Sequence, residues 1–157
     1  MLNKTNMLYK KKSGFTLLEM LVVITIISLL ASIGITSYTS FNKNSRDGRR
    51  KADIEQIRAA LELYRSNNGS YPLPIGTFGL SFGSGALTDG SNTYLSKIPN
   101  DPKNSKSYFY TSDGNDYTLG GLLEGVTTIP PSCSTTKCDP SDLDVTCNYC
   151  LGPYGEK

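Results

Sequence analysis

Glu19 is the residue whose chemistry most needs a partner. It stands in the run Phe15 to Ile35, twenty-one residues that hold no other charge. As a helix that run is about 31 Å long, enough to cross a bilayer. A carboxylate there is costly in hydrocarbon, so it is expected to meet a specific group. A cut between Gly14 and Phe15 would create one: the Phe15 α-amine, four residues before Glu19 and on the same helical side. Two pairings are open. Glu19 meets the amine of its own chain, or that of an incoming subunit meets the Phe15 amine of a neighbour and so sets an axial step. Either pairing offsets the burial of two charges. Positive charge at a helix N-terminus also opposes the dipole, which favours a nearby carboxylate. The plainer alternative, in which Glu19 snorkels to the headgroups, leaves unexplained why the basic cluster ends in Gly14 directly before Phe15.

The other reactive side chains are four cysteines, Cys133, Cys138, Cys147 and Cys150, all in the last 25 residues. An even number clustered in an exported tail predicts two disulfides, with three pairings open. Cys147-x-x-Cys150 also has a zinc-like spacing, but Cys133-x4-Cys138 is a loose companion to it. A redox-active CxxC fits less well, because Cys147 opens no evident helix after a strand. The chain has no histidine, no G-x-S-x-G and no phosphate loop, so no catalytic residues are assigned and no enzyme is expected. Asp101 and Asp116 are read as scattered loop acids.

The elements that must position these residues follow from charge and periodicity. Residues 1–14 form a basic leader with Lys4, Lys10, Lys11 and Lys12 and no acid. This cluster is expected to stay cytoplasmic and send the remainder outward. Without it, twelve basic residues face fourteen acidic ones, which gives no footprint for nucleic acid. An ordinary secretory signal would have a shorter apolar core and a small-x-small cleavage site, which Ala31-Ser32-Ile33 imitates poorly. Residues 15–41 are expected to be a transmembrane and filament-core helix, with Tyr38 at the interface and soft points at Gly34 and Gly48. Residues 42–67 continue it as an amphipathic helix whose stripe is Ile54, Ile57, Leu61 and Tyr64. Asn67-Asn68-Gly69 and Tyr71-Pro72 end it. From Phe15 to Ser66 the helix would span roughly 78 Å, too long for so small a domain, and this mismatch argues for assembly.

Residues 68–132 are expected to form a globular head. Residues 75–92 read as a loop docked by Phe78, Leu80, Phe82 and Leu87, with a turn or short helix near Leu87. Tyr94 to Pro102 reads as a turn-rich connector. Strands at Ser107–Thr111 and Tyr117–Leu123 make a hairpin that packs on the stripe. Residues 133–157 read as a disulfide-bonded tail ordered by its cross-links. The ten tyrosines, beside no Trp, fit a small aromatic core; a binding surface for carbohydrate or a partner protein is the alternative.

Lys12-Ser13-Gly14-Phe15-Thr16-Leu17-Leu18-Glu19 resembles the class III signal of type IV pilins and type II secretion major pseudopilins. The resemblance implies cleavage after Gly14 by a prepilin peptidase, methylation of the Phe15 amine by the same enzyme, and Glu19 as the acid that neutralises a neighbour's N-terminus. It continues through Arg50-Lys51-Ala52-Asp53-Ile54, Asn68-Gly69-Ser70-Tyr71-Pro72, Ile98-Pro99-Asn100-Asp101-Pro102 and the strand pair, covering about residues 8–123. Two departures stand out. Major pseudopilins often bind calcium in a C-terminal aspartate loop, and Asp113, Asp116, Asp139, Asp142 and Asp144 lack that spacing, so calcium is not favoured and no cofactor is expected. Thr36 replaces the family's helix-breaking proline.

The fold expected is α+β and pilin-like: a long N-terminal helix on a small antiparallel sheet, with a cysteine-rich C-terminal loop region. The function expected is a structural subunit of a type IV pilus or related filament, serving adhesion, motility or DNA uptake. A major pseudopilin of type II secretion is the alternative, and a membrane-tethered binding module a further one. Partners expected are identical subunits, the prepilin peptidase, an assembly ATPase and an inner-membrane platform protein. The precursor is expected in the cytoplasmic membrane with its leader inside, the filament in the periplasm or outside.

Overall fold

The computed structural model describes residues 14–76, 80–139 and 144–156. One helix dominates, α1 (Leu17–Asn68). It runs without a break through Gly34 and Gly48, the expected soft points. It stops where Gly69 turns to φ +80° and donates its N–H to the Arg65 carbonyl at 2.7 Å, a conformation that favours glycine. Pro72, two residues past Ser70, prevents resumption.

The chain divides into two compact units, one ending at Ser40 and one beginning at Phe41. In the first, apolar side chains on all sides of α1 are exposed, among them Leu17, Leu21, Ile24, Ile27, Leu30 and Ile33. Its hydroxyls bond to the helix's own carbonyls: Thr25 to Val22, Ser28 to Ile24 and Ser32 to Leu29, each at 2.7 Å. That is how a polar group is satisfied in hydrocarbon. Among the described residues, α1 is the one helix long and apolar enough to cross a membrane.

In the second unit, Ile54, Ile57 and Leu61 are wholly buried, with Tyr64 packed at the margin, so the apolar stripe is the core face. Against it lies a four-stranded antiparallel sheet in the order β3 (Phe109–Ser112), β4 (Tyr117–Gly121), β5 (Tyr149–Gly152) and β6 (Gly155–Glu156). Tyr71, Tyr108, Tyr110 and Tyr117 fill the layer between, and their hydroxyls are paired. Tyr108 donates to Asp53, Tyr110 to the Pro72 carbonyl, and Tyr71 and Tyr117 to Glu62. These tyrosines are thus core residues with paired polar tips, those of Tyr71, Tyr108 and Tyr117 tied to the helix.

Two segments differ from the sequence reading. The loop expected over 75–92 contains strand β1 (Leu87–Thr88), which pairs with β2 (Thr93–Leu95) in the expected connector. Asp89 makes the turn, taking the N–H groups of Ser91 and Asn92 at 2.8 and 2.7 Å, with Gly90 at φ +91°. Phe78 lies outside the described residues. The tail is more than a loop region, since it supplies β5 and β6 and doubles the expected hairpin.

Candidate assembly site

The helix begins at Leu17 because Thr16 caps it. The Thr16 N–H and Oγ1 each donate to Glu19 Oε2 at 2.8 Å, while Glu19 N–H returns a 3.2 Å bond to Thr16 Oγ1. This is a capping box, in which two residues three apart satisfy each other's free groups at a helix start. The sequence reading missed it, although Thr16-x-x-Glu19 spells the motif. Both bonds use Oε2, and no bond from the described residues falls on Oε1.

Gly14, Phe15 and Thr16 precede the helix in non-helical backbone, and Gly14 and Phe15 are exposed. Among the described residues, a Cβ built on Gly14 would meet nothing within 4 Å. The structure therefore brings together Gly14, Phe15, Thr16 and Glu19 at the head of an apolar helix with uncovered sides. Such a site can expose a peptide bond, then hold an amine against a carboxylate.

The remaining predicted residues lie in the second unit. Cys133 pairs with Cys150 and Cys138 with Cys147. Asp113 is bound up in the β3–β4 turn, its carboxylate accepting the N–H groups of Asn115 and Asp116. Asp139 pairs with Lys106, and Asp142 is outside the described residues. Among the described residues no three His, Cys, Asp or Glu side chains are placed to hold a metal ion. Asp101 is not a loose loop acid: its side chain is wholly buried against Arg50.

Arg50 anchors a cluster that sequence reasoning did not find. Its guanidinium is 1% exposed and grips Asp101 with two bonds, Nε to Oδ2 at 2.7 Å and Nη2 to Oδ1 at 2.9 Å. Nη1 reaches Asp47 at 2.7 Å and Glu124 at 2.9 Å. Arg46 makes a second fork on Glu124, at 2.6 and 2.7 Å, and Lys103 adds a bond at 2.9 Å. Burial opposes the Arg50 charge, but the three carboxylates hold its pKa above the usual value. The hydrogen bond from Arg46, then those from Lys103 and Arg50, outweigh burial and hold the Glu124 carboxyl well below its ordinary range. The cluster fastens the loop after β4 and the 98–103 segment to the helix. Its only local sequence signal is Asp47, three residues before Arg50.

Comparison with known proteins decides the family. The prokaryotic N-terminal methylation motif matches residues 9–35, and the family described as type II secretion system (T2SS), protein G, matches residues 38–122. The chain belongs to the protein G family of major pseudopilins. Similar curated proteins are the type II secretion system core proteins G of Pseudomonas aeruginosa and Vibrio cholerae. The first is 36% identical over 40% of this chain and 44% of its own length. The second is 29% identical over 70% and 77%. That of Pectobacterium carotovorum is 42% identical over 40% of each. The chain thus spans less than half the length of the first of these relatives. No solved structure matches it. Residues beyond 122, with all four cysteines, lie outside the matched region. Family membership favours the secretion pseudopilin, the sequence reading's alternative, over its main reading of a surface pilus, and a structural subunit over an enzyme.

Proposed function

We propose that this chain is the repeating subunit of a type II secretion pseudopilus. It enters the cytoplasmic membrane as a single-pass precursor, its lysine-rich leader inside. A prepilin peptidase cuts after Gly14 and methylates the Phe15 amine. Glu19 of an incoming subunit then leaves or shares its bonds with Thr16 and meets the Phe15 amine of a neighbour. The apolar helix passes from acyl chains to neighbouring helices, with an assembly ATPase and a membrane platform supplying the work. In domain terms, residues 1–14 are removed, 15–41 form the filament core, and 42–157 form the head.

The observation that carries this reading is the protein G family match across residues 38–122, immediately behind a methylation motif. A surface filament is the second reading, favoured by the disulfide-closed tail beyond the matched residues, which would protect an exposed fibre. The test is the mass of the mature N-terminal peptide. A start at Phe15 with one added methyl is expected, and a start at Met1 contradicts processing. Finding the filaments sheared free from the cell surface, with secretion intact in their absence, would favour the second reading.

A further inference from the structure

Asn148 stands between Cys147 and Cys150, is 7% exposed, and bonds entirely to one distant segment. Its Oδ1 accepts the Leu123 N–H at 2.6 Å, and its Nδ2 donates to the Leu123 and Val126 carbonyls at 2.9 and 2.6 Å. Its own N–H reaches the Gly121 carbonyl at 3.1 Å. The segment so held carries Glu124, the acceptor for Arg46, Arg50 and Lys103. It also carries the Glu124 and Gly125 N–H groups, which donate to Asp47 at 2.9 and 2.8 Å. Both disulfides sit at the other end of this chain of contacts. Cys150 lies opposite Gly120 in the β4–β5 register, and Cys147 Sγ is 2.9 Å from where a Gly120 Cβ would stand.

We propose that the four cysteines and Asn148 form a redox clasp: closing the disulfides seats Asn148, and Asn148 seats Glu124 and Gly125 on helix residues 46–50. The reduced head keeps its helix–sheet core, because Ile54, Ile57 and Leu61 pack on β3 and β4 without the cysteines. It lacks the ionic seam at the start of the head. The required co-reactant is a disulfide-bearing thiol oxidant. Each closure turns two cysteine thiols into one disulfide, and two electrons and two protons leave on the oxidant as its two thiols. The head is then complete only in an oxidising compartment.

The test is amide hydrogen exchange on the full-length chain in detergent micelles, oxidised and after thiol reduction with alkylation. Reduction is expected to speed exchange at Leu123, Glu124 and Gly125 about tenfold, the loss of roughly one hydrogen bond's net worth. The Ile57 and Leu61 amides are expected to keep their protection. Asn148→Ala in the oxidised chain is expected to release the same three amides. Reoxidation of unalkylated reduced protein by glutathione disulfide is expected to restore them. Unchanged exchange at 123–125 after reduction, an equal rise at Ile57 and Leu61, or full protection in Asn148→Ala would overturn the clasp.

Discussion

Arg50 and Glu19 are both charges placed where charge is costly, and the chain treats them differently. Arg50 is buried among three carboxylates, and its removal takes the only counter-charge among the described residues from Asp101, whose side chain is wholly buried. Arg50→Met is expected to lower unfolding stability by about 3–5 kcal/mol, read from denaturant titration of the solubilised chain. Arg46→Met, whose guanidinium is about a third exposed, should cost distinctly less. Glu124 makes the same cluster pH-dependent. Its folded pKa is depressed below the ordinary 4.5, so the unfolded chain takes up a proton first as acid is added. Its contribution is complete above about pH 4.5 and is lost as pH falls toward the folded pKa. Melting temperature should therefore decline from about pH 4.5 downward, and Glu124→Gln should flatten that slope. Glu19 draws attention in the sequence because a lone acid in an apolar run has few explanations. Arg50 was not, since Asp101 and Glu124 lie 51 and 74 positions away and nothing local announces them.

At the scale of elements, legibility followed strength of pattern. The stripe Ile54, Ile57, Leu61 and Tyr64 repeats over several turns, and α1 uses it as read. Strands β3 and β4 were legible from aromatic and β-branched content, with ends shifted by two residues at most. Strands β1 and β6 have two residues each, too few for alternation to register. Strand β5 is buried at every position, so it has no polar face to alternate with. Its place beside β4 depends instead on a bare strand surface at Gly120. A methyl there would lie 2.9 Å from Cys147 Sγ and 3.2 Å from its Cβ. Gly120→Ala is expected to cost about 1–3 kcal/mol in the oxidised chain, with a smaller loss after reduction frees the sulfur. Thermal unfolding with and without reductant checks both halves of that expectation.

As a whole molecule, the chain joins a head that buries its own apolar core to a helical segment whose apolar surface is open. The head closes the hydroxyls of Tyr71, Tyr108, Tyr110 and Tyr117, the Arg50 ion pairs and its cysteines internally. Residues Leu17 to Ile33 satisfy their hydroxyls but leave apolar surface uncovered on every side. Lipid, or the neighbouring copies of the proposed filament, would cover it. At the start of that surface, Thr16 holds one oxygen of Glu19, one residue from Phe15, whose amine the proposed cut would expose. The most direct test is filament yield from Glu19→Gln, which keeps size and hydrogen-bonding capacity but loses the charge. Normal cleavage and membrane insertion with no filaments is the predicted result; filaments of wild-type yield and subunit spacing would contradict it.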